Sequence, residues 1–418
     1  MASLRSLVSV SPDVFKRKYL GRTYLLSTAE EISDQLPIST FRDGLVESLG
    51  SGGLRSSSVR IVRDGNDYRG VVGTAAPGDS GIAEPYVEAR YLSPLLADGY
   101  TIVARSIHRY LRPAYELTQL LSSELGYPIR IAAYITPPDS RGLLWHFDAH
   151  DVFIVQLEGS KVWHVAPPAV KWPIPDRAWH HLRSSERDSI ISGIEGTVDL
   201  NLAAGDALYL PRGYLHAPQT QGEISVHMTI SVHPVTRLDV AKVLVDKSAD
   251  SEWWREAIDM NALEGDAQLA RSTLDAIAGR MVKEGSESFP LEIFRRASGH
   301  SREERTQLQL KSFTNQARAI RDVNSFTTYV RNEHVKCYIK EVEGSVMLYT
   351  EVGDVRLPKA ATKIVADIIG NFVVEHDVLK ESHPGPLTDK VLTALLRIGI
   401  LSPNIVSNAG GVGGDSDR

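Results

Sequence analysis

The sequence predicts an α+β multidomain protein with an all-β sandwich or barrel near its centre, and three observations carry that expectation. The chain has 418 residues, enough for two to three domains. Between Ile129 and Pro234 short β-rich runs recur: "IRIAAYIT", "DVFIVQLEG", "KVWHVAPP", "GTVDLNLAAGD", "ALYLPRG" and "ISVHMTISVHP". Turn residues separate them, which is the pattern of a sandwich or barrel. After Pro234 the texture becomes helical, and a small mixed unit follows.

Residues 11–130 read as mixed. "SPDVFKRKYL" is a capped helix, with Ser11 as N-cap and Pro12 at the first helical position. The segment "SLGSGGLRSSSVRIVRDGNDYRGVVGTAAPGDSG" is rich in Gly, Ser and Asp and predicts short strands between turns. "IHRYLRPAYELTQLLSSELG" predicts a helix around Pro113 that ends at Gly126. Beyond the central runs, "DVAKVLVDKSADSEWWREAIDM" and "DAQLARSTLDAIAGRMVKEG" predict amphipathic helices, and "SREERTQLQLKSFTNQARAIRDVNSF" continues the helical region. The tryptophan pair in "EWWREAIDM" reads equally well as internal packing or as an interface. From about residue 331 come two strands, "HVKCYIKEVEG" and "SVMLYTEVG", then a Pro-started helix, "LPKAATKIVADIIG", and a last helix, "LTDKVLTALLRIGIL". The tail "NAGGVGGDSDR" has the composition of a disordered segment.

Composition excludes several classes. Hydrophobic residues make up 42% and charged residues 23%, ordinary for a globular protein. No window approaches a membrane-spanning run. "MASLRSLVSVSPDVFKRKYL" is a poor secretory leader, because its apolar stretch is short and broken. Cys337 is the only cysteine, so an internal disulfide is impossible. A reducing cytoplasm is the expected compartment. A net charge of -6 argues against general nucleic-acid binding and for a basic partner. Residues 331–400 hold nine Lys/Arg against ten Asp/Glu, so no basic, phosphate-binding face is evident there.

Chemistry concentrates in "LLWHFDAHDVFIVQLEGSKVWHV", residues 143–165, which holds three histidines and three acids. If His146 and Asp148 lie in a strand, they project from one face and can share a cation. The expected third ligand is His216, in "GDALYLPRGYLHAP", where two turns flank a short strand. Two imidazoles and one carboxylate on one side of a metal leave the opposite positions open, as in non-haem Fe(II) oxygenases. An isolated His-x-Asp is more often a surface pair. His150 shares the parity of His146 and is expected at the pocket mouth. His164 is expected to be a scaffold residue. His227 and His233 are expected either to be buried strand histidines or to line the pocket.

Taken together, "HFDAHDVFIVQLEGSKVWHV", "LAAGDALYLPRGYLHAP" and "HMTIS" resemble the cupin-like JmjC oxygenases. Within them they are most similar to the ribosomal oxygenases, which are 2-oxoglutarate-dependent protein hydroxylases. The resemblance is strong over residues 129–235 and loose outside them. It implies a double-stranded β-helix core in a catalytic domain over residues 1–235. It further implies a helical dimerisation domain over 236–330, a winged-helix-like domain over 331–405, and a tail over 406–418. It places His146, Asp148 and His216 as the Fe(II) ligands. It also matches Lys161 to the residue that pairs with the distal carboxylate of 2-oxoglutarate, and a buried carboxylate without a cation would be costly. Tyr134 matches a hydrogen-bonding partner of the same end, and Ser231 and Thr229 are hydroxyl-bearing candidates on the last strand. Two positions depart from the pattern: Ala132 where an asparagine is common, and Trp145 where proline is common, beside the expected iron. The implied reaction uses O₂ to hydroxylate a carbon of a protein or peptide side chain, with a ribosomal-protein segment as the expected partner and a homodimer as the expected state. A tailoring hydroxylase of a small modified peptide or natural product, and an N-methyl-lysine demethylase, use the same chemistry. A cupin-type binding or regulatory protein is the non-enzyme alternative.

Overall fold

The computed structural model describes residues 3–34, 36–74, 84–249, 251–260, 264, 266–287, 313–332, 335, 337–342, 344–350 and 353–404. The tail expected to be disordered, and the charged segment 301–312, lie outside the described residues. The chain divides into two units, Met1–Val235 and Thr236–Arg418.

The first unit is built on thirteen strands among its described residues. They are β1 (Leu25–Ser27), β2 (Val59–Arg63), β3 (Asn66–Asp67), β4 (Gly73–Thr74), β5 (Tyr86–Val87), β6 (Thr101–Ala104), β7 (Ile129–Thr136), β8 (Asp151–Glu158), β9 (Lys161–Ala166), β10 (Val198–Leu202), β11 (Ala207–Leu210), β12 (Leu215–Thr220) and β13 (Ser225–Val232). The major sheet runs β1-β11-β8-β13-β7-β6-β2-β3, the minor sheet runs β10-β9-β12, and β4 pairs with β5. Every pairing among them is antiparallel.

The apolar run of β8 has a physical reason. The strand is covered on both faces, so alternation disappears. Val152 and Ile154 pack with Trp163, Val165, Leu202 and Leu208 between the sheets. Phe153, Val155 and Leu157 face the other way, into a core shared with Phe15, Phe41, Leu45, Leu117 and Leu121. These last five come from helices Pro12–Lys18, Ile38–Gly50 and Arg112–Leu125, which cover the outer face. The first helix starts as its sequence predicts, with Ser11 Oγ accepting from Val14 N–H and Pro12 at its first position. Its Phe15 ring lies 5.4 Å from that of Phe153 and 4.8 Å from that of Tyr209. Helix Arg112–Leu125 ends at Gly126, whose φ of 76° closes it in the left-handed conformation.

In the second unit, helices Arg237–Ser248, Glu252–Arg255 and Ala267–Glu287 precede helix Phe313–Arg321. The single helix expected over 239–260 is thus two, interrupted after Ser248, with Ser251 at the N-cap position of the second. Trp253 and Trp254 are half-buried and pack edge to face at 5.1 Å, with the Arg280 guanidinium 4.7 Å above Trp253. Strands β14 (Thr328–Arg331), β15 (Cys337–Val342), β16 (Ser345–Thr350), β17 (Val355–Pro358), β18 (Val373–Glu375) and β19 (Leu401–Pro403) form two three-stranded sheets, β18-β14-β19 and β15-β16-β17. Their core joins Ala319, Val323 and Tyr329 to Val346, Ile364, Val391, Leu392 and Leu395. The last helix, Pro386–Arg397, is shorter than its apolar run because Leu401 is taken into β19. Among the described residues no helix is long and apolar enough to cross a membrane.

Candidate metal centre

His146 and Asp148 do not lie in a regular strand: β8 begins only at Asp151, and residues 147–150 are irregular. Strand parity therefore does not place this pair. What places His146 is an isolated antiparallel bridge to His216, the second residue of β12. His146 N–H donates to His216 O at 3.1 Å and His216 N–H to His146 O at 2.8 Å. This closed pair sets the two imidazoles side by side, with centroids 4.2 Å apart. Gly213 N–H donates to Asp148 O at 3.0 Å and brings the carboxylate alongside.

His146, Asp148 and His216 each offer a ligand atom, and the three atoms lie within 4.8 Å of one another. Among the described residues they are the one group of three that could hold a metal ion. The histidines are held alike. His146 Nδ1 lies 2.7 Å from Leu144 O, and His216 Nδ1 lies 3.1 Å from Tyr214 O, two residues upstream in each case. A carbonyl at Nδ1 fixes the proton there and leaves Nε2 free as a lone-pair donor. His216 Nε2 stands 3.6 Å from Asp148 Oδ2. Burial, then His146, lower the His216 pKa to about 4, against the opposing pull of Asp148, so a neutral ligand is available at pH 7. Burial opposes the Asp148 charge, but His150, His216, His146 and His233 outweigh it and hold the carboxyl below its ordinary value.

Two further contacts brace this corner. Asp151 is buried and accepts from Tyr209 OH and, at 3.0 Å, from Arg212 N–H, tying the start of β8 to β11 and the turn after it. Gly213 closes that turn at φ 90°, and a Cβ there would meet Val170 O at 2.2 Å. Gly213→Ala is expected to lose about 1–2 kcal/mol to backbone strain alone. Because Gly213 also holds Asp148, melting temperature and Mn(II) affinity should fall together. A lower melting temperature with unchanged metal affinity would uncouple the turn from the site.

Deeper in the barrel lies Lys161, 2% exposed. Its Nζ donates to Thr136 Oγ1 at 2.9 Å, and burial lowers its pKa to about 7. Among the described residues no carboxylate pairs with it. Tyr134, two residues before Thr136 on β7, stacks on His227 of β13, with centroids 4.7 Å apart. Burial, then the Asp148 charge, push the Tyr134 hydroxyl up to about 12. Trp163 lies edge-on to His227 at 5.3 Å and 5.9 Å from the His216 ring. A continuous wall of His216, Trp163, His227 and Tyr134 thus links the His146–Asp148–His216 corner to the region of Lys161. Thr229 and Ser231 share the strand parity of His227 and sit opposite Ala132 and Arg130 of β7.

The other candidates separate. His150 stacks on His233 at 4.8 Å, facing it across the start of β8 and the end of β13. His164 is on the outside, with Nδ1 2.6 Å from Asp199 Oδ1. Trp145 was placed by the sequence beside the expected iron. It packs with Phe147, Ala166 and Leu215, 6.4 Å from the His164 ring. Thr136 and Trp163 were not anticipated. Parity signalled both, Thr136 as Tyr134+2 and Trp163 as Lys161+2.

The His146–Asp148–His216 cluster, the buried lysine and the two antiparallel sheets together point to a class. Residues 108–240 match the family model described as JmjC domain, a span that takes in strands of both the major and the minor sheet. It is similar to human Ribosomal oxygenase 1, 33% identical over 120 residues, which are 28% of this chain and 18% of that protein. Mouse Ribosomal oxygenase 2 is 35% identical over 135 residues, 32% of this chain and 27% of that protein. The Caenorhabditis elegans bifunctional lysine-specific demethylase and histidyl-hydroxylase NO66 is 32% identical over 119 residues, 28% of this chain and 15% of that protein. The chain spans less than a third of the length of these relatives. Its fold is that of Escherichia coli YcfD, with a TM-score of 0.56 at 15% identity, covering 94% of this chain and 98% of that one. A structure of YcfD in complex with cobalt and 2-oxoglutarate superposes with a TM-score of 0.55 at 13% identity, over the same shares.

Proposed function

We propose that this protein is an Fe(II)- and 2-oxoglutarate-dependent oxygenase that hydroxylates a carbon of an amino-acid side chain in a protein or peptide. One observation carries the reading: a two-histidine, one-carboxylate cluster shares a barrel with a buried lysine that meets no carboxylate among the described residues. The residues present fit the metal and the co-substrate. Three ligand atoms converge, both histidines are oriented through Nδ1, and the buried Lys161 lies along one wall from them.

Bound Fe(II) and 2-oxoglutarate supply the activation of O₂ and the insertion of oxygen into a C–H bond. The chain supplies position and charge. His146 and His216 present Nε2, and Asp148 adds a carboxylate whose charge its imidazole neighbours favour. Lys161 offers an ammonium to the distal carboxylate of the co-substrate, in a site dry enough to make that pairing strong. Tyr134, Thr229 and Ser231 are the proposed hydroxyl partners along the same wall. No side chain is required to move a proton in the C–H step.

The likeness to ribosomal oxygenases and the net charge of -6 favour a basic ribosomal-protein segment as substrate. A homodimer formed through the helices of 236–330 suits the exposed Val245, Leu274 and Val282. A winged-helix-like role for 331–405 and a cytoplasmic site of action complete the reading.

Purified protein with Fe(II), ascorbate and 2-oxoglutarate is expected to release succinate, faster with substrate. Mass spectrometry of ribosomal proteins treated this way should find a gain of one oxygen atom on one residue. Loss of a CH₂ mass from methylated lysine would replace hydroxylation with demethylation. A protein that binds neither Fe(II) nor 2-oxoglutarate would overturn the oxygenase reading.

A further inference from the structure

His227 is 2% exposed, and its Nδ1 has no hydrogen-bond partner. Leaving a buried imidazole nitrogen unpaired is costly, so its persistence calls for a missing partner. The ring cannot turn away. It lies flat on Tyr134, at 4.7 Å and 5°, and stands edge-on to Trp163, at 5.3 Å and 85°. The backbone is also irregular here. Where β13 pairs with β8, the register shifts between Val226 and His227, so that Glu158 faces Val226 and Gln156 faces His227. The extra residue of this bulge, Leu157, lies on β8, while β13 keeps an unbroken register with β7 and holds His227 opposite Tyr134. Its neighbours are polar or cationic. Lys161 is close enough that, after burial, it is the second cause holding His227 neutral. Trp163 Nε1, on the ring beside it, likewise lacks a partner. Lys161 itself has Thr136 as its hydrogen-bond acceptor.

These groups share one deficiency. Lys161 and Trp163 bring N–H groups without acceptors enough, and a neutral His227 with its proton on Nδ1 adds a third. An anion placed among them would satisfy all three, whereas a water molecule would leave the lysine charge uncompensated. We infer that His227 is a co-substrate-positioning residue, donating from Nδ1 to the distal carboxylate of 2-oxoglutarate beside Lys161. It would supply the polar contact that Ala132 cannot, from the strand paired with β7. This rests on the proposed oxygenase reading and adds to it a specificity role for a residue outside the metal corner.

The test is binding, not turnover. Anaerobic calorimetry with Mn(II)-loaded protein would compare 2-oxoglutarate with 2-oxopentanoate, which has the same chain and keto-acid end but a methyl group for the distal carboxylate. For His227→Leu, 2-oxoglutarate affinity is expected to fall about ten- to a hundredfold. Affinity for 2-oxopentanoate should change by less than about threefold. His227→Asn, which carries an amide N–H near the position of Nδ1, should recover most of the loss. His227→Gln, which reaches toward Nε2, should not. Should His227→Leu fail to fold, the contrast between Asn and Gln decides alone. Equal losses for both ligands in every variant would make His227 a packing residue and overturn the inference. So would unchanged 2-oxoglutarate affinity in His227→Leu. A wild-type protein that binds Mn(II) but not 2-oxoglutarate would instead overturn the reading on which the inference rests.

Discussion

Asp148→Ala is expected to abolish succinate release and to take Fe(II) binding below detection, while the melting temperature of the metal-free protein stays near that of wild type. The carboxylate is the one anionic member of the cluster, and the imidazoles of His150, His216, His146 and His233 surround it. Without it, a divalent cation would meet two neutral ligands and no compensating charge, in a partly desolvated corner where charge compensation counts most. The fold tolerates the change because the backbone atoms at this position make the structural contact: Asp148 O accepts from Gly213 N–H, which alanine preserves. His146→Ala should behave similarly, since its backbone bridge to His216 also survives. His150→Ala is the internal control. Its ring stacks on His233, and it is expected to keep metal binding within a few-fold. Calorimetry with Mn(II), followed by an iron-dependent succinate assay, decides the matter. Persistent metal binding in Asp148→Ala would remove that residue from the centre, and loss of binding in His150→Ala would add that one to it.

The chemistry of this corner was legible because it is written in residue types at short separations. His146, Asp148 and the Lys161 hairpin lie within one short stretch, and His216 sits in a turn-strand-turn whose glycines and proline announce it. The backbone reason was not legible. A strand was expected to align His146 with Asp148, whereas a two-bond bridge sets His146 beside His216, seventy positions on, and Gly213 N–H holds Asp148. Such a pairing leaves no periodicity to read. The central strands were visible because β-branched and apolar residues cluster between turns. The three-residue strands β1, β18 and β19 were not, because three residues carry no alternation and owe their conformation to their neighbours. Trp145 shows the same limit from the other side. Its place in the motif suggested proximity to the metal, but side-chain direction depends on local backbone, and it packs outward on Phe147, Ala166 and Leu215. His227 was recognised as a strand histidine that could be buried or line the pocket. Its orphaned nitrogen became apparent only with Tyr134 and Trp163 placed around it.

Lys161→Met is expected to move stability and co-substrate binding in opposite directions. In the ligand-free barrel the ammonium is buried with one hydroxyl partner, and burial lowers its pKa from 10.5 to about 7. Between those two values the unfolded chain binds the proton more readily than the folded one, so stability rises with pH across that window. The destabilising contribution is therefore fully present below pH 7 and gone above about pH 10.5. Methionine fills a similar volume without the charge, so the variant should melt higher than wild type when ligand-free, with the largest gain at and below neutral pH. Co-substrate binding should suffer. Removing the partner of a buried carboxylate costs about 2–5 kcal/mol, or roughly thirty- to several-thousandfold in affinity. Wild-type binding should carry the proton linkage as well. The dianion pairs with the ammonium form, so above pH 7 each binding event must take up a proton. The dissociation constant should be flat below pH 7 and rise about tenfold per pH unit above it, until the raised pKa of the complex is reached. In Lys161→Met that slope should vanish. A variant that melts higher yet binds 2-oxoglutarate as tightly as wild type would leave Lys161 a buried cation with no carboxylate to serve. A pH slope that persists without the lysine would assign the titrating group elsewhere in the barrel.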